Sequence, residues 1–294
     1  MHAIVSVPDP LSDWLHEAWA QEAEVRAVEV EGAMVRYRGW NLDSIDKPGL
    51  VLVHGYIAHA RWWDHIAPRF TDRYRVIAPD FTGMGDSDRR PAYSRLQYAR
   101  EILAAARHAG FKKAALVAHS FGSGCALHAA LLAPDAIERV ILIDGRVFSR
   151  DSSLEEAVER PETIYPSFAA ARTRYRLMPP GDWPIPAVMD YVARHSIRRI
   201  DEDRWTWKFD PATVHAPRRN HVGPEIGGLT VPVDFIHAGN SDVIDEGDLA
   251  TIVAGLPTCG APVTIPLTHH HVMLEQPIAL VATLNALLAH PRSA

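Results

Sequence analysis

The chain has 294 residues, 47% hydrophobic and 22% charged, a balance that supports a globular core large enough to stand without staples. A formal net charge of −6 argues against a general nucleic-acid binder, which carries a basic footprint. Two cysteines, Cys125 and Cys259, form neither a disulfide framework nor a paired metal motif.

The first residues have no basic start and no long apolar run, so no secretory signal is expected there. No stretch approaches the roughly 18 apolar residues of a membrane span. The expectation is a cytoplasmic protein with no membrane and no nucleic-acid partner. Residues 12–22 read as a short amphipathic helix, capped by Ser12 or Asp13, with Trp14, Leu15, Ala18 and Trp19 on one face. That face docks on the body or on a second copy, which leaves a homo-oligomer open. Residues 25–39 alternate and read as an antiparallel hairpin turning at Glu31-Gly32.

From residue 50 the pattern changes. Short β-rich runs at 50–54, 74–79, 114–119, 139–144, 232–238 and 262–267 are separated mostly by helix-period segments at 61–70, 95–109, 121–133 and 245–255, and a last helix spans 277–289. Such alternation implies crossovers and a mostly parallel sheet flanked by helices. Nearly ninety residues between the runs at 139–144 and 232–238 lack a clear strand. A loop of that length is improbable in a compact domain, so residues 146–229 read as a helical cap over the carboxyl edge of the sheet. The core domain is then 1–145 with 230–294. The aromatic residues of the insertion (Tyr165, Phe168, Tyr175, Trp183, Trp205, Trp207 and Phe209) read mostly as its apolar underside.

The run AALVAHSFGSG (114–124) places Ser120 where a strand must turn sharply into a helix, with Ala118, Gly122 and Gly124 small enough for strand and helix to approach. A hydroxyl becomes a nucleophile only with a base in hydrogen-bond reach, a partner for that base, and donors for the oxyanion. The stretch THHHVMLEQP (268–277) offers a base late in the chain, and AGNSDVI (238–244) places Asp242 beyond a strand end as the acid. Asp144, ending VILID, is the rival acid. Backbone N–H groups of Phe121 and of Tyr56, in LVLVHGY, are the candidate oxyanion donors.

With these motifs and the loop APDFTGMGDSD (78–88), the chain resembles the α/β-hydrolase family, serine branch, over about residues 25–145 and 230–290. The family often carries its histidine five residues before the glutamate of E-x-P, which singles out His270 from Glu275. Where the family has glycine before that histidine, this chain has His269. The resemblance implies a catalytic set of Ser120, Asp242 and His270, with Asp80 and Ser87 structural and no cofactor. His54, Trp62, His119 and His271 are the candidate pocket residues. No HxxxH or cysteine pattern supports the triple histidine as a metal site, so no metal is expected.

Serine as nucleophile disfavours dehalogenase and epoxide hydrolase chemistry, which uses aspartate. The leading expectation is hydrolysis of a carboxylic ester or thioester of a small molecule. Carbon–carbon hydrolysis of ring-cleavage products is the alternative, although that branch commonly carries Trp where this chain has His271. A non-catalytic ligand-binding protein on the same fold is the alternative of another class. RTRYR (172–176) and RHSIRR (194–199) offer contacts to an acidic substrate or acyl carrier, against the plainer reading of solvated helix faces.

Overall fold

The structure, a computed structural model, describes residues 10–148, 161–181, 184–215 and 223–290. Helix α1 (Pro10–Trp19) leads into a hairpin of β1 (Glu24–Val30) and β2 (Ala33–Trp40). Glu31 and Gly32 both take positive φ at its two-residue turn, matching the right-handed twist of the flanking strands. Then follow β3 (Gly49–Val53), β4 (Arg75–Pro79), α2 (Arg95–His108), β5 (Ala114–His119), α3 (Phe121–Leu132) and β6 (Ile137–Ile143). The inserted segment contributes α4 (Phe168–Arg174), α5 (Pro186–His195), β7 (Ile197–Arg199) and β8 (Trp205–Trp207). The chain returns through β9 (Val233–Ala238), α6 (Glu246–Gly255), β10 (Val263–Ile265), α7 (Val272–Glu275) and α8 (Pro277–Ala289).

Eight strands form one sheet in the order β1-β2-β4-β3-β5-β6-β9-β10. The pairs β1-β2 and β2-β4 are antiparallel; β4, β3, β5, β6, β9 and β10 pair in parallel. The strand residues alternate between two cores. Val51, Val53, Leu116, Leu142 and Phe235 pack under α2, α3 and α6. Leu50, Leu52, Val117, Ile141 and Ile236 pack under α1 and α8, through Leu15, Leu280 and Leu284. Burial on both faces explains why these strands read as continuous apolar runs.

Two expectations need correction. Residues 61–70 form two short 3-10 turns, Ala60–Trp63 and Ala67–Phe70, and no α-helix. Pro68 has no N–H to donate to the carbonyl of Asp64, so one continuous α-helix cannot run through this stretch, and Pro68 instead sits at the start of the second turn. The inserted segment is not purely helical: β7 and β8 pair antiparallel, and Tyr165 bridges to Trp205. Three-residue strands are too short to leave a periodic signal. Trp183 lies outside the described residues.

Candidate active site

Ser120 follows the last residue of β5 and opens α3. Its φ of 53° and ψ of −121° lie where a side chain is strained, as a sharp strand-to-helix corner demands. The corner closes only because Gly122 has no side chain: a Cβ there would stand 2.5 Å from the backbone oxygen of His54. Strands β5 and β6 pair in parallel with His119 opposite Ile143, so the next residues, Ser120 and Asp144, emerge side by side at the carboxyl edge. The Ser120 N–H donates to the Ile143 carbonyl at 2.9 Å.

His270 reaches both. Its Nδ1 lies 2.8 Å from Asp144 Oδ2, and its Nε2 lies 2.7 Å from Ser120 Oγ. An ionised carboxylate only accepts, so Nδ1 carries the imidazole proton and the lone pair of Nε2 faces the serine hydroxyl. Asp144 is fully buried with φ of 46°, and its carboxylate is held at every side. Oδ1 accepts from Ala238 N at 3.1 Å, and Oδ2 accepts from the Ser241 hydroxyl at 2.6 Å. Ser241 Oγ in turn accepts from Val243 N and Ile244 N.

The expected acid was Asp242, and the structure does not bring it to His270 Nδ1. Asp242 is exposed beyond β9, at the rim of a small crevice shared with His269, His270 and His271. Its loop serves the site through the preceding residue: Ser241 donates to Asp144. The missed signal is the register of two parallel strands that end in Ser120 and Asp144.

The loop after β3 stands opposite the serine corner. A Cβ on Gly55 would approach Ser120 Cβ to 3.3 Å and His119 Nδ1 to 2.9 Å, so backbone and corner are in contact. Ile57, a β-branched residue, has φ of 48° two positions on, an outlier that re-aims the chain. Tyr56 and Phe121 rings pack with centroids 5.8 Å apart. Phe121 begins α3, where backbone N–H groups have no intrahelical acceptor and the helix dipole is positive.

The four candidate pocket residues divide. Trp62 lines a cavity of about 410 Å³ between the loop after β3 and the inserted segment, with Tyr56, Tyr175, Trp207 and Lys208 among its other walls. His271 packs edge-on to Trp62, ring centroids 5.5 Å apart, and is buried. His54 acts as a structural clamp: its Nδ1 donates to the Gly55 carbonyl at 2.7 Å, and its Nε2 accepts from Phe81 N at 3.1 Å. Burial pushes its pKa down to about 4, so the ring is neutral. His119 is buried behind the serine, its Nε2 bonded to the His270 carbonyl at 2.8 Å. Burial, then the neighbouring His270 and His271, holds His119 well below the usual imidazole range.

Other residues settle into supporting roles. Asp80 accepts from Ala60 N at 2.6 Å and Asp86 N at 2.9 Å, and Ser87 Oγ donates to the Asp80 carbonyl. Cys125 is buried, and desolvation raises its thiol to about 12, which makes it inert. Of the basic stretches, Arg172 and Arg194 both pair with Asp190, and Arg198 pairs with Glu162. Only Arg174 and Arg176 among them line the cavity.

Among the described residues no helix is long and apolar enough to cross a membrane. A family profile described as alpha/beta hydrolase fold matches residues 48–177. An uncharacterized protein of Mycobacterium tuberculosis is 30% identical over 108 residues, 36% of this chain and 32% of that protein. The match thus spans about a third of that relative's length. Lipase LipV of the same species is 26% identical over 208 residues, 68% of this chain and 78% of the lipase. The crystal structure of E-2-(acetamidomethylene)succinate hydrolase superposes with a TM-score of 0.76 over 92% of this chain and 100% of that one, at 20% identity. Sequence profile, strand order and serine corner agree on the α/β-hydrolase fold for this chain.

Proposed function

We propose that this protein is a serine hydrolase that cleaves a carboxylic ester or thioester of a small molecule through an acyl-enzyme. The observation that carries the reading is the relay Ser120 Oγ, His270, Asp144, with contacts of 2.7 and 2.8 Å. In the first step His270 Nε2 takes the hydroxyl proton as Ser120 Oγ bonds to the substrate carbonyl carbon. The carbonyl electron pair moves to oxygen, and the N–H groups of Tyr56 and Phe121 receive the oxyanion. Such donors are worth a few kcal/mol each, about a hundredfold or more in rate. The intermediate then collapses and expels an alkoxide or thiolate, which takes the proton from His270. Water repeats the sequence with the serine as leaving group, so the net reaction consumes one water and needs no redox partner. Asp144 keeps the imidazole in the Nδ1–H tautomer and stabilises the imidazolium.

Tyr56, one of the two proposed oxyanion donors, also walls the cavity of about 410 Å³, whose Trp62, Tyr175 and Trp207 suit a mid-sized, partly aromatic substrate. Labelling with a fluorophosphonate, read by intact mass, tests the nucleophile. One adduct that Ser120→Ala abolishes is expected. Absence of an adduct on the intact chain favours a ligand-binding protein. A panel of p-nitrophenyl esters run beside a vinylogous diketo acid then separates ester from carbon–carbon hydrolysis. Turnover of the diketo acid alone would replace the ester reading.

A further inference from the structure

Three buried imidazoles meet beside Ser120: His119 at the end of β5, His270, and His271 at the start of α7. One ring nitrogen of each lies within 4.8 Å of those of the other two. Ring centroids are 4.8 Å apart for His119 and His270, 5.1 Å for His270 and His271, and 5.9 Å for His119 and His271. Each ring sends one N–H to an oxygen that only accepts. His119 Nε2 donates to the His270 carbonyl at 2.8 Å, His271 Nε2 to the Pro179 carbonyl at 3.1 Å, and His270 Nδ1 to Asp144 at 2.8 Å.

A neutral imidazole has one N–H, so the second nitrogen of each ring is a bare lone pair. His119 and His271 both lie buried against the ring of His270. Their Nδ1 atoms are buried and have no hydrogen-bond partner. A buried acceptor without a donor costs on the order of 1–3 kcal/mol. Both rings pack on His270, whose Nε2 lone pair faces the Ser120 hydroxyl. Histidines that hold a metal almost always donate their other N–H to a carboxylate or backbone carbonyl, and all three rings here do so.

We propose that His119, His270 and His271 form an inhibitory site for a divalent transition-metal ion of the zinc or copper class. The ion takes the His270 lone pair that would accept the Ser120 proton, and water or the Ser120 oxygen completes four-coordination. Imidazole selects this class over magnesium and calcium, which take oxygen ligands. With ion–nitrogen distances of about 2.0–2.1 Å, a tetrahedral ion holds its nitrogens about 3.3 Å apart. The widest pair must therefore close from 4.8 Å, a small movement of the histidine loop. Binding follows from the histidines alone; inhibition rests on the reading of His270 as the base.

The test begins with the full-length Ser120→Ala protein, so that hydrolysis plays no part. Cobalt(II) is added and the visible absorption of a four-coordinate ion is followed, then zinc is added to displace it. One ion per chain is expected. His119→Asn and His271→Phe, each checked by circular dichroism and thermal melting, should each weaken cobalt binding by about tenfold or more. In the unsubstituted protein, zinc should block fluorophosphonate labelling with the same midpoint, and a chelator should restore it. No binding below about 0.1 mM, or binding unchanged in both folded variants, overturns the site. Binding with undiminished labelling overturns the inhibition. A chain that does not label even without metal sinks the hydrolase reading and leaves the metal measurement intact.

Discussion

Asp144 Oδ2 stands 2.8 Å from His270 Nδ1 although 126 positions of chain separate them. Asp144→Asn is therefore expected to lower kcat/KM by about 10³–10⁴-fold, because an amide stabilises the wrong imidazole tautomer and carries no charge. Asp242→Asn should stay within about twofold of the parent, as befits an exposed carboxylate. Initial rates on one p-nitrophenyl ester decide the matter. Equal losses in the two variants would restore Asp242 as the acid.

Ser120 holds φ of 53° for the sake of its oxygen's position. Ser120→Ala should remove activity by about 10⁵-fold or more. Ser120→Gly should be equally inactive yet more stable than Ser120→Ala by about 1 kcal/mol, since glycine tolerates that backbone without a Cβ clash. Denaturant melts of the two variants measure the difference, and an alanine variant as stable as the glycine one would argue that the corner is unstrained.

Gly122 packs its Cα against the His54 carbonyl, a backbone atom that cannot swing away. Gly122→Ala is expected to cost about 2–3 kcal/mol, in the range of overpacked core sites, and to reduce labelling of Ser120 by spreading β3 from α3. Gly227→Ala meets nothing within 4 Å and serves as the neutral comparison. Thermal melting and fluorophosphonate labelling rate report the two effects.

Buried neutral histidines make the fold labile to acid. His54 and His65 are both pushed down to about 4 by burial. The unfolded chain takes up their protons near pH 6.5 while the folded chain resists, so stability is full above about 6.5 and falls as pH drops towards 4. At about 1.4 kcal/mol per pH unit, each ring forfeits on the order of 3 kcal/mol by pH 4. Asp80 acts in the opposite sense: burial raises it to about 6, so its protonation on acidification offsets part of the loss between about 6 and 4. His65→Gln should lower the melting temperature at pH 7.5, where the bond from His65 Nε2 to the Met273 carbonyl is weakened. It should also shrink the further drop between pH 7.5 and 5. An unchanged slope would show that His65 titrates normally in the folded state.

The one-dimensional chain carried the strands, because burial on both faces leaves apolar runs such as LVLV and ILI that need no partner to be read. It carried the serine corner as well, since the small residues Ala118, Gly122 and Gly124 are demanded locally by strand and helix in close approach. His270 was legible only through the family resemblance, which fixes the histidine by its distance from Glu275. What it did not carry was the choice between two aspartates. That choice turns on β5 and β6 lying adjacent with His119 opposite Ile143, a non-local pairing that sets Asp144 beside Ser120. The same contact brings His119 to the histidine loop and turns a pair of neighbours into a cluster of three. Local sequence determines which residues can do chemistry here, because turns, caps and strand patterns are fixed within a few positions. Only the folded sheet decides which of them meet, because hydrogen-bond reach is about 3 Å and nothing in chain order measures distance on that scale.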